Sequence, residues 1–383
     1  MDLTDYFDPV SLPRPLVRNV HAKDEFGRRL VIHTPDTPVT EVEGFDMALM
    51  GVPEERNSRN KGSLEAPDHI RRKLYSLARI RNAINIIDLG NMRPGTAPSD
   101  TLYGIRDIVF HLLENNVIPV IMGGTQDITL GCHEALMKYR GRVRLLTVDA
   151  RLDMDKGEKE ITSDTWLEKI MADTTGKTGY VNLGHQEYLV SLADLDRLGR
   201  KGYHTWRVGK VRENIPYYEP LFRDAEIHSF DLAAVRQSDA PGTLNPSPNG
   251  FSGNEICQMA HFSGLSDHIS VFIVSEVNPR LDVRDQTTHL AAQMIWFFTN
   301  GLAQRMKETP DPAGENFTQF VIDLTGTGHK ITFLKSNRTD RWWFLTPLPD
   351  KITGKQEWIA CSYEDYLLAG KREIPERWLD MLK

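Results

Sequence analysis

The chain has 383 residues, 40% apolar and 26% charged, with a formal net charge of −7 and lysine and arginine spread along its length. This is the composition of an ordinary soluble globular protein, and its charge speaks against nucleic acid or an anionic membrane surface as the main partner. No apolar run approaches the roughly 18 to 20 residues that a membrane helix needs.

The N-terminal stretch MDLTDYFDPVSLPRPL is acidic and lacks an apolar h-region, so no signal peptide is predicted. Residues 1–43 carry several prolines and little periodicity and read as an irregular arm. From residue 44 onward, short runs rich in Val, Ile and Leu recur at 45–52, 84–89, 117–122, 143–148, 179–183, 203–206, 226–230 and 271–274. Most intervals between them are long enough for a helix. Leu102, Ile105, Val109 and Leu112 fall at helical spacing behind a cap expected at Ser99-Asp100. Leu290, Met294, Phe298 and Leu302 form the apolar face of a last helix, near residue 305. Strands apolar on both faces and joined by helices predict a mainly parallel sheet of eight strands in a three-layer α/β/α domain over 44–305.

Residues 306–383 open with the linker KETPDPAGEN. NFTQFVIDL, KITFLKS and RWWFLTP follow and predict a small antiparallel β-meander, with a short helix after EIPERW. Four of the seven tryptophans lie here: Trp342, Trp343, Trp358 and Trp378. Two readings stand side by side. The rings pack the meander onto the main domain, or they form a contact surface for a protein partner or a second copy of the chain. The three cysteines, Cys132, Cys257 and Cys361, are far apart and show no zinc-type spacing, which predicts reduced thiols in a cytoplasmic protein. Cys132 and His133 are neighbours on one predicted helix and so do not face each other as a nucleophile pair.

In an open parallel sheet, sites form at the C-terminal ends of the strands. Four segments end strands with polar residues: VIMGGTQDITLG (120–131), TVDARLDMD (147–155), HSFDLAAVRQSDAPG (228–242) and SEVNP (275–279). Aspartates at strand ends are often only turn formers, but here four such segments recur in order. Asp149, Asp153 and Asp155 look like a metal site, and Arg151 between them looks like the opposite.

With GVPEE (51–55) and GSLEAPDHIRR (62–72), these segments resemble the ureohydrolases: arginase, agmatinase and formimidoylglutamase. The resemblance runs from about residue 44 to 305. It implies an arginase-like fold and two manganese ions that activate a bridging hydroxide to attack a guanidinium or formimino carbon. It also implies self-association, because family members form trimers or hexamers. Carried over residue by residue, the family's GGDHS falls on Gly123 to Asp127, with the first-metal histidine at Gln126. DAHxD falls on Asp149 to Asp153, with the second-metal histidine at Arg151. In the third motif Ser229, Asp231, Pro241 and Gly242 are kept, while the second aspartate falls on Ala233. Glu276 matches the glutamate that contacts the substrate's amidine group. The segment DKGEKEITSDTWLEKI carries no histidine where the family's proton shuttle would lie.

The two metal positions differ in chemistry. The second would be held by Asp149, Arg151, Asp231 and Ala233. Arginine has no lone pair to give and alanine donates nothing. At about 4 Å and an effective dielectric of about 20, the arginine charge would repel a divalent ion by roughly 8 kcal/mol. The first position keeps Asp149, Asp153 and Asp231 with Gln126, an all-oxygen set that suits one hard cation, Mg²⁺, Ca²⁺ or Mn²⁺. A competing arrangement dispenses with metal: the Arg151 guanidinium lies between Asp149 and Asp231 in forked hydrogen bonds. These losses predict a pseudoenzyme with no resident metal, acting as a binding or scaffold protein through its C-terminal extension. The alternative is a formimidoylglutamase-like hydrolase of linear amidines using one hard metal ion or none, and a guanidino or formimino ligand suits either reading. Glu276 and the loop PGTLNPSPNG (241–250) support the alternative.

Overall fold

The computed structural model describes residues 1–11, 20–155, 160–173, 175–324, 329–349 and 354–381. Ten strands join in one sheet: β1 (Phe7–Asp8), β2 (Leu30–Ile32), β3 (Met47–Gly51), β4 (Ile86–Met92), β5 (Ile118–Met122), β6 (Val143–Val148), β7 (Thr178–His185), β8 (His204–Arg207), β9 (Ile227–Asp231) and β10 (Val271–Ser275). Their order is β1-β4-β3-β5-β10-β9-β6-β7-β8, with β2 also beside β4. Every pair is parallel except β1 with β4. Strands β3 to β10 are the eight expected from the apolar runs. The N-terminal arm is less irregular than its prolines suggested: β1 and β2 line the free edge of β4 and shield its unpaired backbone groups.

Successive residues of a strand face opposite sides of the sheet, so each central strand feeds two cores. Leu146, Val148, Phe230, Phe272 and Val274 pack on one face beneath the helices Gly253–Leu265 and Gln286–Leu302. Leu145, Ile121, Ile273 and Ile227 pack on the other beneath Pro98–Glu114 and Ile128–Arg140. The expected cap at Ser99-Asp100 is shifted. Pro98 begins the helix, and Asp100 reaches back to accept the Ala97 N–H at 2.8 Å. Proline at the first helical turn needs no N–H partner, which moves the boundary upstream of the predicted position.

The tail forms a separate antiparallel sheet of four strands, not three: β11 (Phe317–Leu324), β12 (His329–Ser336), β13 (Trp342–Leu345) and β14 (Trp358–Cys361). Residues 325–328 of the expected TGTGH turn lie outside the described residues. Two helices follow, Tyr363–Gly370 and Glu376–Asp380. The second is the expected one, and the first is announced by a capping box between Ser362 and Asp365.

The tryptophans settle mostly inside. Trp342, Trp343 and Trp378 are buried, and Trp358 is half-buried in a small cluster with Trp343 and Phe317. Trp342 stacks on Tyr366 at 4.7 Å, and the Arg223 guanidinium lies 5.0 Å from the Trp343 ring. Arg223, from the helix Glu219–Asp224 under the main sheet, also donates to the carbonyls of Trp342 (3.1 Å) and Cys361 (2.9 Å). These rings therefore pack the second sheet internally and onto the main body, and the contact surface they were expected to present is not exposed. Among the described residues no helix is long and apolar enough to cross a membrane.

Candidate functional site

The C-terminal ends of β5, β6, β9 and β10 are neighbours in the sheet, so the four polar segments of the sequence meet at one edge. The turn after β5 is built on Gly123 and Gly124, both at positive φ (78° and 70°). A Cβ on Gly124 would come within 2.7 Å of the Val52 carbonyl, so the tight turn that presents Gln126 needs glycine there. Asp153 (φ 45°) and Glu276 (φ 63°) are non-glycine residues held in the same left-handed region, a strain that collects at functional sites.

Asp149, Asp153, Asp231, Gln126 and Glu276 are all at least nine-tenths buried. The Gln126 amide is wedged between two of the aspartates: one of its terminal atoms lies 2.9 Å from Asp149 Oδ2 and 2.6 Å from Asp153 Oδ2. With nitrogen there, the amide donates to both carboxylates; with oxygen there, three oxygens converge and require a cation. Asp153 Oδ2 also accepts the Trp166 indole N–H at 2.9 Å. Asp231 Oδ1 accepts the Ala233 N–H at 2.6 Å. Among the described residues, no three His, Cys, Asp or Glu side chains stand close enough to hold a metal by themselves. The Gln126 amide joins Asp149 and Asp153.

Burial pushes all three aspartates up: Asp149 to about 6, and Asp153 and Asp231 well above the usual carboxylate range. For Asp153 and Asp231 the next cause is the Asp149 charge beside them. Several carboxyl groups out of water cannot all ionise without a counter-charge, so the cluster either holds protons or holds a cation.

Glu276 is fixed from both sides. Its Oε1 accepts the Gln126 backbone N–H and its Oε2 the Asn60 amide N–H, each at 2.8 Å. Asn60 is oriented in turn by Asn278, whose amide donates to it at 2.7 Å. Burial raises Glu276 to about 7 against the pull of these two donors. Asp127, the last residue of the first motif, accepts the Thr125 hydroxyl at 2.6 Å and sits behind the site, raised by burial to about 6.

The forked bridge expected of Arg151 is not formed. Its own backbone N–H takes Asp149 Oδ1 at 2.8 Å, closing a turn of two residues. Among the described residues its guanidinium has no hydrogen-bond or ion-pair partner and acts on Asp149 and Asp231 only as a nearby charge. It lines an inner pocket of 30 Å³ with Asp153, Asp231, Ala233 and Glu276. It also lines an outer pocket of 440 Å³ that shares Asp153, Asp164 and Asn245 with the inner one. Ala233 leaves open the side-chain space next to Asp231. The segment after Asp155 lies partly outside the described residues, at 156–159.

Asn60 and Trp166 were not anticipated. Asn60 lies in NSRN (57–60), between the two early motifs, and its only signal is a run of polar residues after a strand. Trp166 carries no signal, because an indole at the start of a helix reads as core. Cys132 and His133 form no pair: the thiol is buried, and the His133 ring bonds Thr178 at 3.0 Å.

A model of the arginase family matches residues 45–299. The chain belongs to the arginase family. Among curated relatives, the formimidoylglutamase of Corynebacterium efficiens is 27% identical over 268 residues, covering 67% of this chain and 84% of that one. The guanidinobutyrase of Pseudomonas aeruginosa is 25% identical over 295 residues, covering 67% and 86%. A Trypanosoma cruzi formiminoglutamase determined with Mn²⁺ superposes with a TM-score of 0.64 at 21% identity, covering 68% of this chain and 94% of that one.

These matches correct two expectations. The family is one of hydrolases and the relatives carry enzyme names over two thirds of the chain, so the reading as a non-catalytic scaffold is withdrawn. The expectation of no resident metal is withdrawn as well, since the similar Trypanosoma structure holds manganese.

Proposed function

We propose that this chain hydrolyses a carbon–nitrogen bond of linear amidines, in the manner of a formimidoylglutamase, with one hard divalent ion at the first of the family's two positions. The observation that carries the reading is the burial at one sheet edge of Asp149, Asp153 and Asp231, whose charges demand a counter-charge. Asp149, Asp153 and Asp231 would supply oxygen donors to such an ion, and Gln126 would join them by turning its amide oxygen inward. The second position does not fit, because Arg151 and Ala233 offer no donor. The ion, when bound, would make a water acidic enough to ionise near neutral pH.

The chain's own residues do the rest. Glu276, locked by Gln126 and Asn60, presents a carboxylate edge to the inner pocket and suits a planar amidinium. A cation there favours the ionised form of a carboxyl that burial holds at about 7. Asp231 is pinned by the Ala233 N–H, so its second oxygen keeps a fixed direction. The buried walls exclude bulk water, which strengthens each of these charges.

The test is release of formamide or ammonia from N-formimino-L-glutamate and of urea from guanidino acids and agmatine, with Mn²⁺, Mg²⁺ or chelator present. Hydrolysis of at least one amidine with metal, lost on chelation and reduced about 10³-fold or more in D149N, is expected. Absence of turnover on every amidine with every metal contradicts the reading.

A further inference from the structure

The main sheet protects its edges. β1 and β2 cover β4, and β8 is only four residues long and ends in the charged Arg207. In the tail, β14 is closed off: the Ala360 N–H donates to Asp224 Oδ1 at 3.1 Å, and its carbonyl accepts Arg377 at 2.5 Å. The other side of the tail sheet differs. β11 is the outermost strand there and pairs with β12 alone. It runs for eight residues, FTQFVIDL, and keeps register with β12 over eight pairs without a bulge. Every second residue therefore turns its backbone N–H and C=O away from β12. Among the described residues, no backbone hydrogen bond reaches Thr318 to Asp323 from outside the β11–β12 ladder. Long edges of this kind commonly carry a lysine, a proline or a bulge that discourages pairing. β11 has none of these, and its one charge is Asp323, near the end.

We infer that the free edge of β11 is an interface, and that it takes β11 of a second copy of this chain, antiparallel about a two-fold axis at Val321. The strand matches itself in that register. Gln319 meets the partner's Asp323, which gives each carboxylate an amide and keeps the two apart. Phe320 meets the partner's Ile322, an aromatic ring facing a β-branched side chain on both sides of the axis. Val321, 57% exposed, meets its own copy and leaves water. Sliding the pair by two residues would set Asp323 against the partner's Phe317 instead. Opposite residues share a face of the sheet, so both copies keep the helix Tyr363–Gly370 on one side. That helix lies over β11 through Tyr366, whose ring is 5.4 Å from that of Phe320. Its Tyr363 and Leu367 are 53% and 42% exposed and add apolar surface to the tail. The pairing would join two four-stranded sheets into one of eight. An unrelated extended peptide would fill the same backbone groups without these side-chain matches.

The test uses the full chain. Its three native cysteines are buried, so V321C adds the one accessible thiol. Under mild oxidant V321C should yield disulfide-linked pairs of chains. T318C should not, because the two copies of that position lie roughly 20 Å apart along the paired strands. V321K, which sets like charges at the axis, should halve the particle mass read by light scattering and leave the far-ultraviolet circular dichroism unchanged. Equal masses for parent and V321K, or no linked pairs from V321C, overturns the inference, whether or not an extended peptide of other sequence binds the edge. Linking of T318C as complete as that of V321C overturns the register, and the self-match with it.

Discussion

Two buried charge clusters sit in the main sheet, and they are opposites. Within β4, Asp88 is fully buried and meets an equally buried Arg71, which donates to both of its oxygens at 2.9 to 3.2 Å. Arg71 also reaches the Gly90 carbonyl, Asn91 and Asp68, and Tyr75 donates to Asp88 at 2.7 Å. Every charge in that cluster has its counter-charge and every fork its acceptor. At the ends of β6 and β9, no cation among the described residues is bonded to the three aspartates, and the neighbouring Arg151 lines the pockets. The closed cluster holds the fold. The open one is left incomplete at the sheet edge, and its carboxyl groups are held well above their ordinary titration range. A protein that tolerates such a cluster at the cost of stability uses it for something the folded chain alone does not supply.

The contrast breaks if both clusters respond alike to losing one charge. D88N should be the larger effect. It leaves Arg71 buried without its ion, a loss of about 3 to 5 kcal/mol, and the fall in denaturation midpoint on chemical unfolding would show it. D231N should act with the opposite sign in metal-free protein. Because burial and Asp149 raise Asp231 in the folded state, its ionised form costs stability at neutral pH, and that cost shrinks as pH falls toward the ordinary carboxylate range. An amide at 231 should therefore stabilise the chelated protein by about 1 kcal/mol at pH 8, an order-of-magnitude figure, and add almost nothing near pH 4.5. Thermal unfolding of both variants across that range is the measurement. Destabilisation by D231N at pH 8 would place the two clusters in one class.

Much of this was legible in the chain. Eight apolar runs gave the eight parallel strands, because strands buried on both faces leave an uninterrupted signature of Val, Ile and Leu. The residues of the site were found through motif order at strand ends, where the topology collects them. What the sequence could not show was how hydrogen bonds are shared out once the turns close. Arg151 looked like a bridge between Asp149 and Asp231. The backbone amides of Arg151 and Ala233, each two residues past an aspartate, take those oxygens first. Local turns of that kind win because they need no side-chain ordering. Asn60 and Trp166 were missed for the related reason that they act from 216 and 13 residues away and belong to no motif. The tryptophans of the tail left two readings open, and their packing around Arg223 matches the inner one.

The proposed centre would offer donors to one cation only, because Arg151 and Ala233 supply none beside it. Native mass spectrometry of the full chain after equilibration with excess Mn²⁺ and buffer exchange counts the ions directly. One manganese per chain is predicted, rising to two in the double variant R151H/A233D, which returns both missing donors. Two manganese ions in the unaltered chain, or none retained at all, would contradict it.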